Sequence, residues 1–290
     1  MNLAELARKS PILGDGAMGT MLQQRGLRIG LAPDVMNLED PDQVVEVHRT
    51  YREAGSDYLE TNTFGANRLK LAGQGLESKL QDIMARGVDL AREGAAGACL
   101  VAGSMGPTGC LLEPYGDTPR EKVLNAFREA AELLDRAGVD FFLIETMTDI
   151  NEASLAITAA RETSERPIAA TAVFAAGAKG FRTMMGTAAQ EAAAAMIAAG
   201  AHVVGTNCCN GMAEAAGIMR AMAAGSPAAL VAQPNAGLPR MESGRLIYPE
   251  GPTAMAAGVP RLLELGVRII GGCCGTTPDH IRAMATALGR

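Results

Sequence analysis

Eight short apolar segments rich in strand-forming residues recur along the chain, at 12–16, 57–64, 99–106, 141–147, 167–174, 202–209, 229–237 and 269–276. Stretches with helical periodicity separate and follow them, over 41–54, 67–96, 119–137, 150–163, 187–199, 212–223, 251–265 and 278–288. Strands that alternate with helices pair in parallel through right-handed crossovers, and eight such units close a sheet into a barrel. The pattern predicts one (β/α)8 TIM barrel. Gly55, Gly138, Gly200 and Gly266 stand just before strands, where a left-handed helix C-cap belongs, and Thr276 or Thr277 with Pro278 opens the last helix. With no long linker, compositional break or internal repeat, residues 1–290 read as one domain.

A closed barrel brings the C-terminal ends of all its strands to one face, where enzymes of this architecture carry their active sites. Small and polar residues gather at those ends: Asp15-Gly16, Thr61-Asn62-Thr63, Ser104-Met105-Gly106, Glu145-Thr146, Asn207-Cys208, Pro234-Asn235-Ala236-Gly237 and Cys273-Cys274. Cys208, Cys273 and Cys274 reach a common point if the sixth and eighth strands lie two apart. Adjacent residues of a strand face opposite ways, so Cys273 and Cys274 can share one ion only where the chain bulges or turns. Gly271, Gly272 and Gly275 permit that. Three thiolates can hold zinc and leave one coordination position open, the arrangement of a catalytic site. The chemistry on offer is activation of a substrate thiol, which with a pKa of about 8.5 is mostly protonated at neutral pH. Plain packing is the alternative, since free cysteine is among the most buried residue types. Cys99, Cys110 and Cys209 read as packing residues.

Charge and composition narrow the field. The formal net charge is -6 and no Lys/Arg cluster interleaves with aromatics, which argues against a nucleic-acid partner. No apolar run approaches the roughly 20 residues needed to cross a bilayer, and 1–10 lacks the apolar stretch of a secretory signal. The expectation is a cytoplasmic protein without membrane contact, whose six cysteines stay reduced.

Asp15 and Glu145 follow long apolar stretches, where a charge is costly unless paired. A substrate ammonium would pair them, and the amides of Gly16 and Ala17 in a tight turn would receive a carboxylate. Together with the thiols this describes a pocket for an α-amino acid bearing a thiol. The alternatives are a turn or cap role for Asp15 and an arginine partner for Glu145. His48, His202 and His280 read as surface or core histidines, and Arg182 and Arg240 as solvated charges on mouth loops.

The motifs Asp15 to Thr20, Glu60 to Asn67, Gly103 to Thr108, Glu145-Thr146, Gly205 to Cys208, Pro234 to Gly237 and Gly271 to Thr276, in this order, resemble those of homocysteine S-methyltransferases over essentially the whole chain. The likeness is greatest to the homocysteine-binding barrel of cobalamin-dependent methionine synthases. It implies zinc on Cys208, Cys273 and Cys274 with homocysteine sulfur as fourth ligand. It also implies Asp15, Thr61 and Glu145 around the amino group, and Asn235 as a transient ligand to the metal before substrate arrives.

Four methyl donors occur in such enzymes. Betaine calls for aromatic walls, and this chain has no Trp. Enzymes using S-methylmethionine or S-adenosylmethionine usually carry a Trp-Ser pair where this chain reads Asp34-Val35-Met36-Asn37-Leu38. The resemblance therefore favours a methylated corrinoid on a separate protein or domain. Two rivals are a noncatalytic zinc-binding docking module for a corrinoid protein and a Schiff-base aldolase. The latter needs a strand-end lysine, and Lys70, Lys79, Lys122 and Lys179 all fall on predicted helices or loops.

Overall fold

All eight expected strands are present as one parallel sheet: β1 Ile12–Leu13, β2 Tyr58–Glu60, β3 Leu100–Met105, β4 Phe141–Met147, β5 Ile168–Ala172, β6 Val203–Asn207, β7 Ala229–Gln233 and β8 Val267–Ile270. The computed structural model describes residues 7, 9–28, 30–224, 228–242 and 245–290, so most of the N-terminal segment 1–10 lies outside the described residues. The order around the sheet is β1-β8-β7-β6-β5-β4-β3-β2, a nearly closed barrel. Its shell is formed by α1 Pro41–Glu53, α2 Leu80–Ala95, α3 Arg120–Ala137, α4 Ile150–Thr163, α5 Ala189–Ala199, α6 Met212–Ala223, α7 Pro252–Glu264 and α8 Pro278–Ala287. This is a single (β/α)8 TIM barrel.

The seam between β1 and β2 is bridged at Asp57, at Ser56, whose Oγ donates to Gly14 O at 3.3 Å, and at the Glu60 N–H, which Asp15 accepts. Asp57 donates its N–H to Leu13 O at 2.7 Å, and its carboxylate accepts the Leu13 N–H at 2.7 Å. Arg290 braces that carboxylate at 2.7 Å and donates to Pro11 O at 2.6 Å. The lumen is filled by inward residues of every strand, among them Ile12, Tyr58, Ala102, Phe141, Ala169, Val203, Val231 and Ile269. Large rings face small residues there, and Tyr58 meets Phe141 edge-on at 5.3 Å. The barrel is therefore a plugged core, and any site must sit above the plug.

The strands are shorter than the apolar segments predict. The segment 269–276 stops as a strand at Ile270, which leaves Cys273 and Cys274 in a turn, and 202–209 stops at Asn207, with Cys208 just beyond at φ 53°. Apolar composition continued past the last ladder bond, while the Gly and Asn residues there turned the chain away. The helix expected over 67–96 is broken into Arg68–Ala72, a 3-10 turn Glu77–Lys79 and α2, because Gly73 and Gly75 interrupt it. Two hairpins went unforeseen, Ala175–Gly177 with Gly180–Arg182 and Arg240–Glu242 with Arg245–Ile247. The helix stops fared better: Gly55, Gly138, Gly200 and Gly266 have φ of 105, 89, 115 and 83°.

Two of the histidines hold local structure. His280 Nδ1 accepts the Thr277 N–H at 3.1 Å, which leaves the proton on Nε2 to donate to Glu250 O at 2.9 Å. His202 Nδ1 accepts the Ile168 N–H at 3.1 Å. His48 is different: on α1 it is fully buried, and neither ring nitrogen has a hydrogen-bond partner. Burial pushes this imidazole down to about 3. An unfolded histidine titrates near 6.5, so the folded state binds fewer protons and stability falls as pH drops from about 6.5 toward 3. In His48→Leu that loss should be missing. Urea midpoints measured from about pH 7 to 4 are expected to fall more steeply for the parent than for the variant, and equal slopes would show that His48 protonates in place.

Candidate functional site

Above the plug, the loops that follow the strands enclose a cavity of about 320 Å³. Asp15, Gly16, Ala17, Thr61, Glu145, Cys208, Cys273 and Cys274 all line it, so residues from five strand ends share one chamber. Asn235 is not among the lining residues; it donates from Nδ2 to the Cys208 backbone O at 3.2 Å, and its buried Oδ1 has no partner.

The three sulfurs lie within 4.8 Å of one another and form a group able to hold a metal ion. Cys208 Sγ is 3.9 Å from Cys274 Sγ, close to the roughly 3.8 Å edge of a tetrahedron with metal–sulfur bonds of about 2.3 Å. It is 2.7 Å from Cys273 Sγ, so that edge must open by about 1 Å around an ion. The donor set fits zinc. The backbone behind it is tied down: Cys208 N–H donates to Gln233 O at 3.1 Å, Cys273 N–H to Pro234 O at 2.9 Å, and Ala236 N–H to Cys274 O at 3.0 Å. Hydrogen bonds from Cys208 and Cys273 hold the Cys274 thiol down to about 3. The Tyr248 ring lies over Gly275, the residue after Cys274. With φ 81°, Gly275 makes the turn possible, and a Cβ there would fall 2.1 Å from Tyr248 Cγ.

Carboxylates occupy the rest of the chamber. Asp15 accepts the Glu60 N–H at 3.0 Å through Oδ2, while its buried Oδ1 has no partner. Glu145 accepts from Ser104 Oγ at 2.5 Å and Asn207 Nδ2 at 3.1 Å. No ion pair among the described residues involves either group, so the arginine partner considered for Glu145 is absent. Burial pushes Glu145 up to about 7 and Asp15 well above the usual carboxylate range. Thr61 accepts the Ser104 N–H at 3.0 Å and meets Thr63 Oγ1 at 2.6 Å. Gly16 N–H has no partner among the described residues, whereas Ala17 N–H reaches Thr276 Oγ1 at 3.1 Å, so the expected anion nest is half engaged.

Sequence reasoning gave no role to Glu60, Ser104, Asn207 or Gln233, all of which line the cavity. Glu60 is a third carboxylate, hydrogen-bonded to Gln233 Nε2 and pushed well up by burial and by the charges of Glu145 and Asp15. Its signal was available: like Asp15 and Glu145 it ends an apolar run. Cys99 bonds to Ser56 O at 3.0 Å and Cys209 is buried, in keeping with packing roles, while Cys110 is half-buried. Arg240 pairs with Glu242 at 2.6 Å on the surface, and Arg182 donates to Gly186 O at 2.6 Å.

The model of the homocysteine S-methyltransferase family matches residues 12–288. The chain belongs to that family. Two curated relatives are the methionine synthases of Mycobacterium leprae, 34% identical, and Mycobacterium tuberculosis, 33% identical; the matches cover 100% and 99% of this chain and 25% of each relative. The chain thus spans about a quarter of their length. The metallated crystal form of the homocysteine methyltransferase MmuM from Escherichia coli has the same fold, with a TM-score of 0.82 at 24% identity over 98% of both chains. Membership of the family supports a methyltransferase acting on homocysteine. No helix among the described residues is long and apolar enough to cross a membrane.

Gly275→Ala tests how far this family member depends on the turn after Cys274. The added methyl must displace Tyr248 or the loop, and metal affinity should fall about tenfold or more while the far-UV spectrum stays unchanged. Competition with a chromogenic chelator measures this, and unaltered affinity would mean that the turn is not needed to hold the sulfurs.

Proposed function

We propose that residues 1–290 act as a zinc-dependent homocysteine S-methyltransferase that forms methionine, with a methylated corrinoid on a separate protein or domain as donor. The observation that carries the reading is the meeting of three thiols with an unpaired acidic cage in one small chamber. A thiol amino acid brings what each half lacks: a fourth soft ligand for one side and a cation for the other.

In this proposal Cys208, Cys273 and Cys274 hold the zinc, and Asn235 Oδ1, buried and without a partner, serves as its transient ligand. Zinc, when bound, supplies a thiolate at neutral pH from a thiol that is otherwise mostly protonated. Asp15 and Glu145 receive the substrate ammonium, with Thr61 between them and Glu60 adding to the cage. The open Gly16 N–H, aided by Ala17, receives the carboxylate. Fixing the substrate at both ends aims its sulfur at the mouth, and such alignment alone can contribute several kcal/mol, up to about 7 to 11 in the best intramolecular cases. The thiol proton leaves to solvent when the thiolate forms; the transfer itself then forms one S–CH3 bond and breaks the donor–CH3 bond, whose electron pair stays with the donor, so no general base is required at that moment. The printed name of the two mycobacterial relatives, methionine synthase, agrees with this product. The chemistry requires reduced thiols, as a cytoplasmic setting would provide.

A macromolecular donor is supported by where apolar surface is exposed. Among the described residues the large exposed apolar side chains are Leu31 and Leu38 after β1, Leu111 and Tyr115 after β3, Met184 after β5, and Leu238, Met241 and Leu246 after β7. All lie between a strand's C-terminal end and the shell helix that follows it, on the rim side, and Met184 and Tyr115 are 80% and 73% exposed. Exposed apolar side chains gathered on the face that carries the cavity suit that face to receiving a protein-borne donor.

Alanine at any of Cys208, Cys273 or Cys274 should abolish zinc binding and methionine formation together; full turnover by a zinc-free variant would refute the assignment. The donor is settled by supplying methylcobalamin, S-methylmethionine, S-adenosylmethionine and betaine in turn to the zinc-loaded protein with homocysteine and quantifying methionine. Product with methylcobalamin alone is expected, and none with any donor would favour the noncatalytic docking module. Met184→Lys and Met241→Lys should lower kcat/KM about tenfold, or about 1.4 kcal/mol, for corrinoid carried on a protein, with free methylcobalamin unaffected. Equal loss with both donors would remove the docking role.

A further inference from the structure

Beyond the groups that would touch substrate, one buried side chain connects the acidic cage to the sulfur trio. The Asn207 side chain, at the end of β6, has all four of its hydrogen-bonding positions occupied. Oδ1 accepts the Thr146 N–H at 2.8 Å and the Thr171 hydroxyl at 2.8 Å. Nδ2 donates to Thr146 Oγ1 at 2.7 Å and to Glu145 Oε2 at 3.1 Å, with Cys273 Sγ at 4.0 Å. A backbone N–H can only donate, so the bond from Thr146 fixes which end of the amide faces it. Asn207 thereby ties the ends of β4, β5 and β6 together.

Thr146 explains why such a tie is needed. The pairing of β4 with β5 slips between Ile144 and Met147, so the backbone at 145–146 leaves the regular ladder. Thr146 has φ 62°, the left-handed region, where a β-branched residue is an outlier that persists only when its surroundings enforce it. The Asn207 amide clamps this residue through both its N–H and its hydroxyl. That conformation directs the preceding Glu145 carboxylate into the chamber beside Ser104.

We infer that Asn207 is a positioning residue that holds Glu145 and Thr146 in the shape that receives the substrate's amino group, and so sets the preference for an amino-acid thiol over the same thiol lacking that group. The inference rests on the homocysteine reading above. A packing role alone would affect both thiols alike, whereas positioning of Glu145 acts only on the one with an ammonium. Asn207→Asp keeps the size and the acceptor facing Thr146 but turns the donor aimed at Glu145 into a second acceptor. Asn207→Ala removes the clamp altogether.

The test uses the full chain loaded with Co2+, whose visible absorption reports a thiol joining the metal. Homocysteine and 4-mercaptobutanoate, its counterpart without the amino group, are titrated into the parent, both Asn207 variants and Glu145→Gln. Metal stoichiometry is measured alongside. The parent is expected to prefer homocysteine. Asn207→Asp and Glu145→Gln should each cut that preference about tenfold or more, with one equivalent of metal retained and 4-mercaptobutanoate affinity changed by less than about threefold. The double variant should lose little more than either single one. Retained preference in Asn207→Asp, or equal weakening of both thiols, would overturn the positioning role. A parent that binds neither thiol, or both alike, would overturn the homocysteine reading itself, a result that the parent protein reveals before any variant is compared.

Discussion

The mouth of this barrel keeps three carboxylates out of bulk water with no ion pair among the described residues to match them. Asp15, Glu60 and Glu145 come from three different strand ends, and their mutual repulsion adds to the cost of burial. The surrounding structure can be read as the answer to that cost. The Glu60 N–H, Ser104, Gln233 and Asn207 each give a donor to one of the three. What remains unmet is an acceptor, Asp15 Oδ1, facing a chamber that a ligand ammonium would enter. The pocket is preorganised for positive charge because the fold supplies donors enough to position the carboxylates and too few to neutralise them.

The sulfur side is built by a different device. Cys208 lies in a left-handed conformation directly after β6, and Cys273 and Cys274 occupy a turn after β8. The loop after β7 runs between them: Asn235 Nδ2 donates to Cys208 O on one side, and Pro234 O and Ala236 N–H bond to Cys273 and Cys274 on the other. The trio therefore depends on backbone held at three neighbouring strand ends. Strand order decides that the sulfurs meet.

Much of this was legible in the chain. The alternation of apolar runs with helical periods gave the barrel, because a buried parallel strand needs a nearly continuous apolar run. Asp15, Glu145, Cys208, Cys273 and Cys274 stood out because charged or soft groups at strand ends have few purely structural uses. Where each strand stops was not legible, since the apolar runs continue smoothly into the rim and only the ladder partner ends the pairing. The hairpins beside Met184 and Met241 were missed because their short segments show no periodicity. Ser104, Asn207 and Gln233 escaped for a further reason. Their partners lie 41, 62 and 173 positions away, and neutral side chains carry no mark that would announce a distant bond.

The seam at Asp57 bears on how the molecule is made. β1 finds its ladder partner only in β8, more than 250 positions later, and Arg290 finishes the joint. Until the eighth strand emerges from the ribosome, a growing chain presents two open β-edges of mostly aliphatic sequence, an invitation to pair with neighbours. Cells synthesising this protein would need to shelter the barrel segment until its eighth strand has emerged.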